Sequence, residues 1–261
     1  MDFLVRRYLC VAAMLLVPVF SWGFQVQLGV AAQWYDYQEI EAGRELNRET
    51  GVLPTVSVLT EGPLVGGWQW SADIAYGYGS VKYDGETQTG EPFLSTTDIV
   101  HIRWHTGVDY CFNACVTQVG AGLGQYQLDR GIRGKGDVMG LDEQFRWYEW
   151  TASLSQALAK SAPERWRLGA QLFQARNGEL EVDLRPAGFS EVMLPLPNAL
   201  GYRIHLEHQW RGSETLPLTL RLEHEYRGLK QSDSVPIGGS RSISLPENES
   251  RHWQLSLLVG F

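Results

Sequence analysis

The stretch WQWSADIAYGY, residues 68–78, decides the fold class. Trp68, Trp70, Ala72, Ile74, Tyr76 and Tyr78 form an apolar face with aromatics at both ends, and Gln69, Ser71, Asp73, Ala75 and Gly77 form the other. A period of two is that of a β-strand. Its steps of ~3.3 Å, tilted by about 40°, rise roughly 25 Å, the height of the apolar band that a membrane barrel shows between its aromatic girdles. Strands of soluble sandwiches rarely need that length.

The pattern returns on both sides. Val100, Ile102, Trp104, Thr106, Val108 and Tyr110 alternate with His101, Arg103, His105, Gly107 and Asp109; Tyr148, Trp150, Ala152 and Leu154 alternate with Trp147, Glu149, Thr151 and Ser153. Further strands are expected at 24–38, 52–61, 116–127, 165–177, 200–210, 216–228 and 250–261, giving about ten. Pro54 and the glycines at 120, 122 and 124 blur the period in two of them. The intervals alternate short (62–67, 111–115, 157–164, 211–215) and long (39–49, 82–95, 128–144, 178–199, 229–249). That rhythm suits tight periplasmic turns and long surface loops. The expected fold is therefore all-β, a transmembrane antiparallel up-and-down β-barrel of about ten strands.

Charge and the N-terminus narrow the setting. With 22 Lys and Arg against 30 Asp and Glu, the net charge of -8 argues against a nucleic-acid partner. After the N-terminus no apolar run reaches the roughly 18 residues of a transmembrane helix. Arg6 and Arg7 precede an apolar run over 8–20, followed by small residues at 21 and 23. Residues 1–23 read as a cleaved secretory signal, leaving 24–261 as one barrel domain. Export places Cys111 and Cys115 in an oxidising compartment, where a disulfide across the three residues between them is the natural pairing. Two thiolates without a neighbouring His are a poor metal site, and no cofactor is implied.

The hairpin around Glu214 defines the interior. Arg203, His205 and Glu207 descend on one face, and Arg221, Glu223 and Glu225 return. A symmetric turn pairs Arg203 with Glu225, His205 with Glu223 and Glu207 with Arg221, while Tyr202, Ile204, Leu206 and Leu218, Leu220, Leu222 face outward. His101 and Arg103 join this interior set. A ten-stranded barrel is barely wider than its side chains, so these groups read first as a packed ionic plug. A narrow pore, or a catalytic group among His101, His105, His205 and His252, is the functional alternative. His208 and His224 fall on the outward face, which suits a loop edge, a headgroup zone or a subunit contact.

Trp253, Leu255, Leu257, Val259 and Phe261 alternate up to the final residue. This resembles the assembly signal of bacterial outer-membrane barrels, and it implies recognition by the barrel-assembly machinery, periplasmic termini and extracellular loops. Gly124-Gln125-Tyr126-Gln127, a following Arg- and Gly-rich loop, and Phe145-Arg146-Trp147-Tyr148 resemble the middle hairpin of the omptins, outer-membrane proteases of ten strands. Omptin activity implies an Asp-x-Asp pair facing an Asp-x-His dyad at the outer rim, activating a water. The chain contains neither motif, and Asp98 and His101, three apart, fall on opposite strand faces. No catalytic residue transfers.

The expected role is structural, surface-binding or narrow-pore. The alternative is an omptin-like protease or a lipid A-modifying hydrolase that assembles Ser and His across strands. Expected partners are outer-membrane lipid and lipopolysaccharide, with lipid A phosphates met by Arg130, Arg133 and Lys135. The sequence leaves the oligomeric state open.

Overall fold

The computed structural model describes residues 23–87, 90–158, 164–211 and 216–261. The expected signal segment falls almost wholly outside them. Ten long strands close an antiparallel barrel: β1 (Gln25–Glu41), β2 (Arg44–Pro63), β3 (Trp68–Glu86), β4 (Pro92–Phe112), β5 (Thr117–Ile132), β6 (Leu141–Ala157), β7 (Glu164–Asp183), β9 (Ala199–Arg211), β10 (Pro217–Leu229) and β13 (Glu247–Gly260). Each pairs with the next in chain order, and β1 against β13 closes the ring. Three short strands decorate one end. β8 (Val192–Leu196) extends the upper half of β7, and β11 (Val235–Gly238) pairs with β12 (Arg241–Ile243).

Both described ends of the chain lie at the same end of the barrel, here called the terminal end, with the turns at 64–67 and 113–116. The opposite end carries the longer connections. Three of the expected long loops are mostly strand: β1 and β2 meet across Ala42 and Gly43, the β3–β4 ladder runs to Glu86 opposite Pro92, and β5–β6 to Ile132 opposite Leu141. Ala42 and Gly43 have φ of 52° and 79°, the positive pair of a two-residue hairpin turn. The outward side chains turn polar beyond the apolar band, so hydropathy alternation fades while the ladder continues. Arg48 and Asp36 pair there, at 2.7 Å, just above the exposed Trp34.

Pro54 and the β5 glycines do not interrupt their strands. Pro54 stands opposite Ala32 in the β1–β2 ladder, while the β2–β3 ladder skips residues 51–54 and resumes in the same register. The missing N–H therefore faces the seam that opens. Between Arg146 and Tyr148 the β6–β7 register shifts by one residue, with Asn177 at φ 51° in the bulge.

Outward positions carry the exposed apolar side chains, among them Val30, Val56, Leu172 and Leu257. Trp68, Phe112 and Trp166 mark the terminal-end edge of this band, and Trp34, Tyr78, Tyr148 and Trp253 mark the other. These are two aromatic girdles.

Candidate functional site

The eight expected interior residues all point into the lumen, and the hairpin register is the expected one: Arg203 opposite Glu225, His205 opposite Glu223, Glu207 opposite Arg221. Arg203 donates through Nε to Glu225 at 2.6 Å and through Nη2 to Glu149 at 2.8 Å. Arg103 reaches Glu225 at 3.1 Å and lies 3.5 Å from Glu223. His205 lies 3.7 Å from Glu207, which is the partner of Arg221. The expectation missed two members. Glu149 and Arg227 are joined at 2.6 Å, and both are buried. Each was legible as an inward position, Glu149 beside Trp150 and Arg227 two after Glu225, but nothing in a single hairpin shows that Glu149 reaches across from β6.

Four arginines (103, 203, 221 and 227) thus face four glutamates (149, 207, 223 and 225). Aromatic faces complete the burial. The Arg227 guanidinium stacks 4.1 Å from the Tyr126 ring and 4.6 Å from Trp147, and Arg203 lies 4.4 Å from Phe173.

Beyond this layer, away from the terminal end, the lumen is filled with apolar side chains. Leu53, Val81, Ile99, Leu128, Phe145 and Leu180 are all buried there. Leu194 and Leu196 of β8 and Leu245 cap them from the connecting segments. Within this packing sits Arg130, fully buried and bonded to Glu49 at 2.9 Å, Glu143 at 2.7 Å and Glu39 at 3.2 Å. Arg130 is therefore no loop cation. It lies on β5 facing inward with its side chain fully buried, not at the loop surface where the expectation placed it. Tyr37 and Asn47 donate to Glu39, and Thr97 donates to Glu49. Glu143 has Arg130 as its donor, and burial together with Glu39 and Glu49 raises its carboxyl to about 7. This cluster stands on the strand extensions, outside the apolar band.

The terminal-end half of the lumen is open. A cavity of about 710 Å³ is walled by polar side chains from nine of the ten barrel strands, all but β13, and by the disulfide-closed turn. Cys111 and Cys115 are bonded, with Cα atoms 4.4 Å apart, around a turn in which Asn113, Ala114 and Cys115 all have positive φ. The cavity ends at Arg103, Arg203 and Glu223 of the ionic layer.

The histidines divide by depth. His101 and His252 are buried against Tyr126 and Tyr35, and neither ring nitrogen of His101 has a hydrogen-bond partner among the described residues. His105 bonds Thr151 at 2.8 Å, but Thr151 is 7% exposed and lies off the cavity wall. Ser153 does line the cavity, and its hydroxyl donates to Asp109 at 3.0 Å. An acyl-transfer site needs a hydroxyl, an imidazole and an open approach together, and these residues divide the three. His208 and His224 face outward as expected, packed on Trp166 and Trp253 at 4.3 and 4.4 Å between ring centres.

No family model matches the chain, and no curated protein does. Among solved structures, the outer-membrane protease OmpT of Escherichia coli aligns with a TM-score of 0.55 and 8% identity, over 93% of this chain and 98% of that one. The fold is that of an outer-membrane β-barrel. The translocator domain of the autotransporter NalP from Neisseria meningitidis aligns at a TM-score of 0.45 and 10% identity, over 98% of this chain and 94% of that one. The β domain of the Bordetella autotransporter BrkA gives 0.46 and 11%, over 90% and 98%. At these identities the likeness is one of fold, and the omptin resemblance extends to architecture alone.

Proposed function

We propose that this chain is a non-conducting bacterial outer-membrane barrel with a structural and binding role, its terminal end facing the periplasm. One observation carries the reading: the lumen is wet on the terminal side and packed on the other, with Arg130 and its three glutamates inside an apolar fill. A conducting pore needs a continuous water path, and buried apolar side chains supply none. The alternation of Trp253 to Phe261 and the two girdles support insertion in the outer membrane. Of the surface cations, the exposed Arg133 and the loop residue Lys135 remain available to lipid A phosphates, although Arg133 already pairs with Asp98 at 2.7 Å.

The test is a planar-bilayer recording on purified, refolded, heat-modifiable barrel. The expected result is a silent membrane under applied potential. Reproducible unitary current steps from the wild-type chain would overturn the reading. A cysteine placed in the 133–140 loop should be labelled from outside intact cells, and failure of labelling with folded protein present would reverse the orientation.

A further inference from the structure

The cavity wall carries five arginines and five carboxylates: Arg103, Arg165, Arg167, Arg203 and Arg221 against Glu61, Asp73, Asp109, Glu207 and Glu223. It is neutral in sum but divided in space. Arg103, Arg203 and Arg221 are each committed to a glutamate. Arg165 and Arg167 have no carboxylate at ion-pair distance among the described residues. Glu207, opposite Arg167 in register, is turned to Arg221 instead.

Arg167 is held by neutral oxygens: Gln118 Oε1 at 2.7 Å, Ser155 Oγ at 2.8 Å and the Cys115 carbonyl at 3.2 Å. The amide of Gln118 is fixed in turn, because its nitrogen donates to Gln69 at 3.0 Å. The disulfide turn and its neighbours thus orient a guanidinium without neutralising it. Arg165 lies two residues nearer the mouth on the same face of β7.

The unpaired carboxylates stand elsewhere. Glu61 on β2 and Asp109 on β4 have no cation at ion-pair distance among the described residues, and Asp73 on β3 adds charge behind them. Around the ring, β7, β9, β10, β13, β1 and β2 follow in order, so β7 and β2 are five steps apart in a ring of ten. Glu61 therefore stands across the cavity from Arg165 and Arg167, whereas Asp109, on β4 three steps from β7, lies to one side and accepts from Ser153 of β6. A neutral wall with separated charges complements a neutral ligand with separated charges; a bare anion or a bare cation meets attraction on one side and repulsion on the other. The volume of about 710 Å³ lies within the usual range for small-molecule sites.

We propose that this vestibule binds a small zwitterion, its anionic group received by Arg165 and Arg167 and its ammonium by Glu61 on the opposite wall. The inference rests on the sealed, periplasm-facing barrel proposed above. An ammonium paired with a carboxylate, as in a peptide with free ends, and an ammonium paired with a phosphodiester, as in a lipid headgroup, share this chemistry.

Calorimetric titration of the refolded full barrel, at low ionic strength, separates the cases. Trialanine and glycerophosphoethanolamine are the zwitterionic probes; N-acetyl-trialanine and trialanine amide each keep one charge. At least one zwitterion is expected to bind, and the probe that binds tighter identifies the source. If trialanine binds, its two capped forms should be at least tenfold weaker. Arg165→Gln and Glu61→Gln should each weaken the bound zwitterion at least tenfold. Neither side chain makes a hydrogen bond or ion pair among the described residues, so folding should survive; Arg167→Gln, which also releases Gln118 and Ser155, serves only as a third variant checked by heat-modifiability. Absence of binding by both zwitterions, equal binding of the capped peptides, or unchanged affinity in Arg165→Gln and Glu61→Gln would overturn the proposal. Failure here with a silent bilayer leaves the sealed barrel standing, whereas channel current would remove that reading whatever the titration shows.

Discussion

His105 on β4 and Thr151 on β6 are hydrogen bonded at 2.8 Å across an intervening strand. Gly122 of β5 makes this possible, because the imidazole lies over the place where its side chain would stand. The neighbouring Gly120 does the same for Asp109, which reaches Ser153 at 3.0 Å. Glycines that blur the strand period in the sequence are thus the floor over which two side chains cross.

Gly122→Ala should therefore be costly. The added Cβ would fall 2.4 Å from His105 Nε2 and 2.6 Å from the Thr106 carbonyl, and the second contact is backbone that cannot rotate away. Overpacking of this kind costs about 1–3 kcal/mol. Urea unfolding of the refolded barrel should show a lower midpoint with an unchanged slope. Adding His105→Ala should recover only part of the loss, since the Thr106 contact stays. A wild-type midpoint in Gly122→Ala would show that the crossing is not tight.

The ionic layer predicts unequal costs for its members. Glu149 is fully buried and is shared by Arg203 and Arg227, whereas Glu207 faces the wet vestibule with side-chain exposure of 16%. Removing one partner of a buried pair costs about 3–5 kcal/mol because the other charge is stranded, and water at the site reduces that cost. Glu149→Ala should destabilise the barrel more than Glu207→Ala. The double change Glu207→Leu with Arg221→Leu should come close to wild type. Denaturant titrations of the three variants check the order; equal losses at positions 149 and 207 would contradict it.

Alternation made the barrel readable, since each outward residue must suit lipid and each inward one the lumen. It also set the 203/225, 205/223 and 207/221 register, because a slip of one residue would turn every inward charge to the lipid face. What alternation could not show was the third dimension of the lumen. Glu149 and Arg203 meet from strands that do not pair with each other, and Arg130 reaches Glu49 from a strand three staves away, so no local pattern carries either contact. For the same reason Arg130 read as a loop cation. Its segment is polar on the outward face, which resembles a loop, while Leu128 and Arg130 continue the inward face of a strand that rises above the membrane band. The division into a packed half and a wet half follows from side-chain volumes summed around all ten strands.

Closure at the β1–β13 seam gives the next prediction. Phe261 donates its N–H to the Val26 carbonyl at 2.8 Å, while its side chain is 66% exposed. It adds one rung to the ladder and little packing, so its deletion should leave a stable barrel once formed. Assembly is the step that suffers, if the assembly machinery reads this terminal aromatic. Cell fractionation should show the deletion variant exported but depleted from the heat-modifiable outer-membrane pool. Normal assembly with reduced stability would reverse the assignment.

The Arg130 cluster makes barrel stability pH-dependent in a defined direction. One guanidinium serves three glutamates, and Glu143, whose donor is Arg130, is raised to about 7. In the unfolded chain a glutamate titrates near 4.3. Between these values the folded state holds a proton that the unfolded chain has released, so stability falls as pH rises through this window. The contribution is fully present below about pH 4 and lost above about 7, a difference on the order of 3 kcal/mol. Glu143→Gln mimics the protonated form permanently and leaves Glu39 and Glu49 to pair Arg130. Its stability relative to wild type should be near zero at pH 4 and rise in its favour by pH 8, measured as the difference between the two unfolding free energies. A difference that stays constant over this range would mean that Glu143 is ionised throughout and that the cluster holds its charge without a proton.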